Sequence, residues 1–547
     1  MGCNRADFLG IAGLVSKTFF DEMRERACSP LVPSLRKEVM KFLYPSSTLL
    51  AILSLVMNAG AAVSVDPMFS DHMVLQRDLA VPVWGKADPG EKVKVSFRGQ
   101  SKETVANEKG EWMIKLDPLK IGPAADLMVE GKAKTTFKDV LVGEVWLGSG
   151  QSNMAGGAGG YSKRDLTLKS IIDQGPYPKL RLYASGKWQV ADSSSMSRFS
   201  AIHLSFGYAL QKELEVPVGL FYGAVGGTPS GRWLSAEMAA DDKELDGQFK
   251  KANGYSLVSY EEQREALVKK WQEEVKKAKA AGKRGPRGPV RLGDLYQSKI
   301  EHYVPYGMRG VLWDQGESKT QVPGVPNQFV VMRALINGWR KVWAQGDFHF
   351  LHVQKPSGGV APWDSENPVN AGAKKFNPQL PKVHVDRPNT LAYPLEHVKM
   401  GTLSNAPLVT ALDLGTGVHP ANKSGYGQRA CRVALGSVYG KKVAVCGPVY
   451  RSHKVEGSKI RVSFDHSGQG LAFRHAKELK GFEIAGEDGK WQWAKAEIDG
   501  NAVLLSHPDV TKPKNARYAF NRDPSFANLY NKDGLPGLPF TSVDWKY

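Results

Sequence analysis

The pattern of hydrophobic and polar positions changes twice along this chain. Residues 65–139 alternate short apolar segments with polar turns, such as 87–90 and 107–110, and this spacing predicts a small β-sandwich. Residues 140–440 mix apolar strand-like runs with helical stretches, which is typical of an α/β domain. Residues 441–547 return to short β segments. We therefore predict an α/β domain that is flanked by two β domains.

Within the α/β segment, apolar runs end in glycine-rich turns that carry polar side chains. Such runs and turns occupy residues 142–154, 219–229 and 310–318. Because ligands of an open α/β sheet bind outside the carboxyl ends of its strands, we expect these turns to meet at one crevice. The glycine cluster at 156–160 lacks the Gly-Lys-Ser/Thr of a phosphate-binding loop. The crevice is therefore the predicted functional site.

Ser152 stands in the first of these turns, between Gln151 and Asn153. A serine hydroxyl is a weak nucleophile until a base removes its proton and nearby N–H groups receive the developing oxyanion. A serine at the end of a strand can meet both needs, although the same residues also fit a polar turn after a buried strand. Met154 replaces the last glycine of a Gly-x-Ser-x-Gly elbow, which argues against the α/β-hydrolase fold.

A histidine late in the α/β segment offers the base that Ser152 needs. His419 lies in a polar loop before a predicted helix at residues 426–439. A histidine in such a loop can act as a general base when the fold brings it to the serine. The alternative is a capping or core histidine ahead of Pro420. Serine first and histidine last is also the order of SGNH-type esterases.

Four short motifs make this likeness specific. They read Gly-Gln-Ser-Asn-Met at 150–154, Gly-Gly-Thr-Pro at 226–229, Trp-Asp-Gln-Gly-Glu-Ser at 313–318 and His-Pro-Ala-Asn-Lys at 419–423. In this order, they resemble the sialate O-acetylesterase family. Segments at 68–85 and 517–540 look like that family's two ends, so the resemblance runs from about residue 66 to the last residue.

The resemblance implies an SGNH-hydrolase catalytic domain, which is a flavodoxin-like three-layer α/β fold, and an O-acetylesterase activity on sugars. It makes Ser152 the nucleophile and His419 the base. It makes the side-chain amide of Gln315 an oxyanion donor, together with backbone N–H groups of Ser152 and of Gly226 or Gly227. The bland alternatives are a buried amide that satisfies its own loop for Gln315 and a tight turn for the two glycines.

The chain departs from the family pattern at the acid that orients the histidine. SGNH hydrolases commonly place an Asp shortly before the histidine, but residues 416–418 are Thr, Gly and Val. Asp413 and Glu317 are the candidate orienting acids. Asp413 can equally cap its loop, Glu317 can be a structural anchor, and a backbone carbonyl can orient the ring in a Ser-His dyad. Asp314 also stands where the family more often has an aromatic residue.

Two functions therefore fit the sequence. The first is a secreted carbohydrate O-acetylesterase that removes acetyl groups from sialic acid or a polysaccharide through a serine acyl-enzyme. The second is a glycan-binding or scaffold protein of the same fold whose esterase site is impaired, as the missing acid suggests.

The amino end has the pattern of a secretory signal peptide. An apolar run at residues 49–56 is followed by small residues at 59–62. We predict that residues 1–62 are a leader and that translation begins at Met40, because the segment ahead of the run is unusually long. The run is too short to span a bilayer comfortably, so the expected location is secreted or periplasmic. A short amphipathic helix on a cytosolic protein is the alternative.

Cysteines and histidines give no sign of a metal centre. The histidines lack the HExxH spacing, and the cysteines are too few for a Cys₄ zinc site. Because serine-based ester hydrolysis needs no metal, we predict no cofactor. Without the leader, Cys431 and Cys446 remain, and they form either one disulfide or two buried free thiols.

The formal net charge of +18 directs attention to a basic stretch at residues 269–291. It lies in a predicted helical insertion at about 243–291, which Ser259 and Glu262 are spaced to cap. Its expected buried stripe is Leu267, Trp271, Val275 and Ala278. The stretch is either a solvated helix or a surface that attracts acidic glycans. Nucleic acid is not an expected partner, since no binding motif is present.

Overall fold

The described part of the chain begins just after the predicted leader. A computed structural model describes residues 63–543, except 287, 356–357, 365, 368–369, 371–372, 386–391 and 522. The predicted leader at 1–62 and the predicted start at Met40 lie outside these residues. Among the described residues, no helix is both long enough and apolar enough to cross a membrane.

Short strands with alternating burial form the amino-terminal part of the described chain. They are β1 (Ser64–Val65), β2 (Val74–Gln76), β3 (Val81–Lys86), β4 (Lys92–Phe97), β5 (Gln100–Val105), β6 (Glu111–Leu116) and β7 (Ala125–Glu130). In β6, Trp112, Ile114 and Leu116 are buried while the residues between them are exposed, as the alternating sequence predicted. β3 pairs with β1 and β6, and β4 pairs with β5 and β7.

One long strand, β8 (Lys134–Gly150), links these strands to a central sheet. Its first part pairs with β7, and its burial becomes continuous from Val140 onward. The other strands of the central sheet are β9 (Tyr177–Ala184), β10 (Lys187–Ala191), β11 (Val218–Ala224), β12 (Gly310–Asp314), β13 (His349–Val353) and β14 (Leu408–Val409). Strands buried on both faces read as continuous apolar runs, which explains the runs in the sequence.

The central sheet has the strand order β10-β9-β11-β8-β12-β13-β14. Its strands are parallel except β10, which pairs antiparallel with β9. Numbered along the chain, the five strands β11-β8-β12-β13-β14 follow the order 2-1-3-4-5. The direction of the chain's progress across the sheet therefore reverses between β8 and β12. Ligand sites of open α/β sheets lie at such a switch point.

Helices separate and follow the strands of the central sheet. They are α1 (Ser152–Ala155), α2 (Ala158–Tyr161), α3 (Leu166–Asp173), α4 (Ser193–Arg198), α5 (Ala201–Leu214), α6 (Ala236–Ala240), α7 (Lys243–Asn253), α8 (Tyr260–Ala280), α9 (Asp294–Lys299), α10 (Gln328–Trp343), α11 (Ala392–Met400) and α12 (Lys423–Ser437). Successive side chains of β12 lie on opposite faces of the central sheet, because alternate side chains of a strand point in opposite directions. Trp313 packs with Trp339 of α10, whereas Leu312 shares a cluster with Leu204 of α5 and Val433 of α12.

The carboxyl-terminal part consists of further strands around their own apolar cluster. They are β15 (Val449–Glu456), β16 (Lys459–Asp465), β17 (Leu471–Phe473), β18 (Phe482–Ala485), β19 (Trp491–Trp493), β20 (Lys495–Asp499), β21 (Ala502–Ser506), β22 (Asn515–Tyr518), β23 (Leu529–Asn531) and β24 (Phe540–Thr541). One sheet has the order β15-β16-β21-β20, and another has the order β19-β18-β22-β24. Val462 of β16 and Ile484 of β18 share one cluster, so the two sheets bury apolar side chains together.

The basic insertion is helical, but its amino end differs from the prediction. Trp271 and the rest of the predicted stripe of α8 are half-buried rather than buried. The capping box of Ser259 and Glu262 is wrong, because the side chain of Ser259 makes no cap hydrogen bond. A 3₁₀ turn, Leu257–Ser259, runs directly into α8, so Ser259 already has helical backbone angles.

The two cysteines in the described part of the chain are free thiols. Cys431 lies on α12, and both it and Cys446 are buried. Burial raises the pKa of each thiol to about 12. Because the thiolate is the reactive form, neither cysteine is a candidate nucleophile.

Candidate active site

The turn that presents Ser152 depends on a glycine. Gly150 ends β8 with a φ of 126°, and a Cβ there would lie 2.1 Å from the backbone oxygen of Asp314. The next residue, Gln151, donates its backbone N–H to that same oxygen over 2.8 Å. Ser152 then opens the short helix α1. The serine is thereby fixed at the carboxyl ends of β8 and β12, where the strand order reverses.

His419 meets Ser152 across 267 positions of sequence. Its Nε2 atom lies 2.7 Å from the Oγ atom of Ser152, which is hydrogen-bond distance for a base and its nucleophile. The ring is exposed to solvent, in the loop that leads into α12. The structure therefore brings together the two residues that the sequence proposed as nucleophile and base.

The Gly226-Gly227 turn lies beside the nucleophile. A Cβ on Gly226 would stand 3.5 Å from the Cβ of Ser152. The turn is held by Val225, whose backbone N–H donates to the oxygen of Gly150 over 3.1 Å, and by Thr228, whose hydroxyl donates to the oxygen of Val225 over 2.8 Å. Gly227 has a φ of 70°, so a left-handed turn requires glycine there. The oxyanion role of these glycines stays a prediction.

The nitrogen and the oxygen of the Gln315 side-chain amide both have hydrogen-bond partners, which lie in its own loop, in the turn at 226–229 and on α10. Its Nε2 atom donates to the backbone oxygens of Thr228 over 3.1 Å and Lys319 over 3.4 Å. Its Oε1 atom accepts from the side chain of Gln328 over 3.1 Å. Gln315 is also completely buried. This arrangement favours the structural alternative, because an oxyanion could recruit the amide only by replacing one of these bonds.

The two candidate acids pair with other basic side chains and not with His419. Asp413 lies 3.2 Å from the guanidinium of Arg429, on α12. Glu317 accepts a short hydrogen bond from Gln151 and lies 3.1 Å from the amine of Lys355. In the part of the chain that the structure describes, neither carboxylate hydrogen-bonds to the histidine ring. Glu317 takes the anchoring role that was its alternative, whereas Asp413 pairs with Arg429 instead of capping its loop. The orienting acid stays a prediction.

A buried cluster of charges lies at the ends of these loops. Lys355 and Asp314 are completely buried, with 2.8 Å between the amine and the carboxylate. Burial opposes the charge on Lys355, but the carboxylates of Asp314 and Glu317 raise its pKa above the ordinary value. Lys423 is also buried, and desolvation lowers its pKa to about 7. Paired charges therefore help to stabilise the turns around Ser152, in addition to apolar packing.

Sequence reasoning did not assign roles to Asn153, Lys355 or Lys423. Asn153 and Lys423 belong to the motifs that were recognised, and only their contacts across the fold reveal what they bind. Lys355 follows β13 without any motif, so no signal in the sequence marks it. Among the described residues, no group of three or more His, Cys, Asp or Glu side chains is arranged to hold a metal ion.

Comparisons with known proteins show that this chain is similar to carbohydrate esterases. Residues 142–408 match the family model described as carbohydrate esterase, sialic acid-specific acetylesterase. The resemblance to the sialate O-acetylesterase family is thereby confirmed. The matched residues include Ser152 and the Gly226-Gly227 turn, whereas His419 lies beyond them.

Individual relatives support the same class. The sialate O-acetylesterase of Homo sapiens is 27% identical over 338 residues, which are 55% of this chain and 58% of the human protein. That of Rattus norvegicus is 26% identical over 346 residues, or 54% of this chain and 60% of its own. The match thus spans less than two thirds of these relatives. A carbohydrate acetylesterase of Xanthomonas citri is 25% identical, with a TM-score of 0.68 over 88% of this chain and 100% of its own.

Proposed function

We propose that the protein is a carbohydrate O-acetylesterase that hydrolyses acetyl esters on sugars through a serine acyl-enzyme. The observation that carries this proposal is the 2.7 Å contact between Ser152 Oγ and His419 Nε2 at the switch point of the sheet. The family match and the acetylesterase relatives support the same reaction. The substrate class follows from them, since their printed descriptions name sialic acid and carbohydrates.

The reaction divides into two acyl transfers. In the first, His419 takes the proton of Ser152 while the serine oxygen bonds to the acetyl carbonyl carbon. Backbone N–H groups of Ser152 and of Gly226 or Gly227 receive the oxyanion. The tetrahedral intermediate collapses, the sugar oxygen leaves with the proton from His419, and an acetyl-serine remains. Water then attacks this ester with the same base, and acetate leaves with Ser152 restored.

The fold assignment and the domain division belong to the same proposal. We assign residues 140–440 to an SGNH-type, three-layer catalytic domain, with 243–291 as its insertion. Residues 65–139 and 441–547 are assigned to β domains on either side. The strand order 2-1-3-4-5 and the helices on both faces of the sheet support the catalytic assignment. The change of burial at Val140 within β8 supports the first boundary.

We also propose that the enzyme acts outside the cytoplasm. The leader pattern at residues 1–62 supports secretion or periplasmic export. An O-acetylated sialic acid or polysaccharide is the proposed substrate, and the basic surface of residues 269–291 favours an acidic one.

The test is acetate release from a panel of O-acetylated substrates that includes acetylated sialic acid and acetylated xylan. We expect the wild type to release acetate, and S152A and H419A to lose at least about 1,000-fold in turnover. S298A is the matched control, since Ser298 is exposed on α9 and its hydroxyl bonds only within that helix. Folded wild type that releases acetate from no member of the panel would contradict the proposal, as would full activity in S152A.

A further inference from the structure

A buried amide joins the backbone beside the nucleophile to the backbone beside the base. Asn153 follows Ser152 and is completely buried. Its Nδ2 atom donates to the backbone oxygen of Val418 over 3.0 Å. Because Val418 precedes His419, this single hydrogen bond links the chain neighbours of the two residues that meet at 2.7 Å.

The same amide also holds the far side of the histidine loop. Its Oδ1 atom accepts a short hydrogen bond from the amine of Lys423. Lys423 is the first residue of α12, and its amine lies 4.6 Å from the ring centre of Tyr161 and 5.5 Å from that of Tyr426. The side chain of Asn153 therefore hydrogen-bonds to both ends of the loop that carries His419, at residues 418 and 423.

The hydrogen-bond partners of Asn153 fix the direction in which this amide points. The amine of Lys423 donates to the oxygen of Asn153. Glu317 and the carbonyl of Val418 only accept, and they face the Nδ2 atom at 3.4 and 3.0 Å. A flipped amide would lose every one of these contacts. A carboxylate at position 153 would lose both N–H donors and stand against Glu317.

We propose that Asn153 is a positioning residue that sets the distance between Ser152 and His419, with Lys423 as its anchor. It does so through the backbone of the histidine loop, to which its amide donates at Val418. In this chain, the hydrogen bonds of Asn153 to Val418 and Lys423 hold the base in place. From the sequence, we expected an orienting acid to do this. The proposal rests on the proposed function, because it concerns the same pair of residues.

The test compares N153D and N153S with the wild type on p-nitrophenyl acetate and on an organophosphorus probe for Ser152. A misplacement of about 1 Å can cost about 100-fold in rate. We therefore expect kcat to fall about 100-fold in N153D with KM changed less than about threefold, and the probe to react more slowly by a similar factor. K423M should lower kcat in the same direction. N501D is the charge-matched control, since Asn501 is exposed in the turn between β20 and β21.

A crystal structure of N153D measures the distance between Ser152 and His419 directly. A change in stability alone would not alter this distance. We expect the separation of Ser152 Oγ and His419 Nε2 to exceed 3.5 Å in folded N153D. Wild-type kcat in folded N153D and N153S would overturn the proposal, and so would loss of folding in both, which would assign Asn153 to stability. A wild type that neither hydrolyses the ester nor reacts with the probe would instead refute the proposed function.

Discussion

Gly226 lies next to Ser152 and has no side chain to fill the space between them. A Cβ on Gly226 would sit 3.5 Å from the Cβ and 3.7 Å from the Cα of Ser152, which is ordinary contact. Gly226 is also absent from the left-handed region, so an alanine can adopt its backbone angles. A methyl group there would fit the folded chain and stand beside Ser152, where the proposed mechanism places the acetyl group.

We predict that G226A lowers kcat/KM for acetate release by about tenfold or more, with little change in stability. The physical reason is that the added methyl group stands where the proposed mechanism places the substrate and its oxyanion. Steady-state kinetics and a urea denaturation curve measure the two quantities. G247A is the control, because a Cβ on Gly247 meets nothing within 4 Å. Unchanged kcat/KM in G226A would place the acyl group elsewhere.

Ser152 and His419 were predictable because short motifs carry the residue types that the chemistry needs. The partners of Gln315, Asp413 and Glu317 were not, because several of these hydrogen bonds join positions that are distant in sequence. Gln315 binds the carbonyl of Thr228, 87 positions away, and a sequence cannot say which of many carbonyls lies nearest. An amide or a carboxylate in a motif therefore indicates a polar contact without indicating the partner.

At the level of strands and helices, a buried carboxylate joins the amino-terminal part to the central sheet. Glu144 lies in β8 and is completely buried. It accepts from Arg309 over 2.8 Å, makes a short ion pair with Arg77, and accepts from Gln76 over 3.2 Å. Gln76 belongs to β2, whereas Arg309 directly precedes β12. These contacts fix the register at which the three strands meet.

We predict that E144Q destabilises the fold by about 3 kcal/mol or more, because two arginines then lose the charge that compensates their partial burial. Urea denaturation at neutral pH measures the loss. E111Q is the matched control, since Glu111 pairs with Lys86 at the surface, where such pairs contribute little to stability. A loss below about 1 kcal/mol in E144Q would show that the buried network does not hold these strands together.

The strands of the central sheet were predictable, whereas some of their limits and neighbours were not. Apolar runs before glycine-rich turns marked β8, β11 and β12, because strands buried on both faces carry uninterrupted apolar residues. β9 and β10 extend the sheet beyond β11 without such a run, since Pro178 and Lys179 of β9 are exposed. The predicted capping box of α8 was wrong because the helical backbone begins before Ser259, in a 3₁₀ turn.

At the scale of the whole molecule, stability depends on histidines that are buried without charge. His203 and His352 are fully buried, and burial lowers the pKa of each to about 4. In the unfolded chain, a histidine has a pKa of about 6.5. The unfolded chain therefore binds more protons between these two values, so stability is complete above about pH 6.5 and is lost as pH falls toward 4.

We predict that each of these histidines removes about 3 kcal/mol of stability on acidification from pH 6.5 to 4. Urea denaturation at several pH values measures this slope. H203N cannot gain the proton, so its stability should fall less steeply below pH 6.5, while above pH 7 its curve should run parallel to that of the wild type. Equal slopes below pH 6.5 would contradict the assignment of a neutral, buried His203.

The division of the chain into parts could be anticipated only by composition. The boundary predicted near residue 139 falls inside a continuous strand, because β8 runs from Lys134 to Gly150 without interruption. The change in hydrophobic pattern marked the change of environment at Val140, where half-exposed residues give way to buried ones. The sequence could not indicate that β8 belongs to two sets of paired strands, since its pairing partners lie far along the chain.

The central claim is that Ser152 is a nucleophile activated by His419. Reaction of the folded, full-length protein with an organophosphorus probe, followed by intact mass measurement and peptide mapping, tests it most directly. We predict a single adduct on Ser152 in the wild type, no adduct in S152A and slow labelling in H419A. An unlabelled wild type, or an adduct on another serine, would contradict the claim.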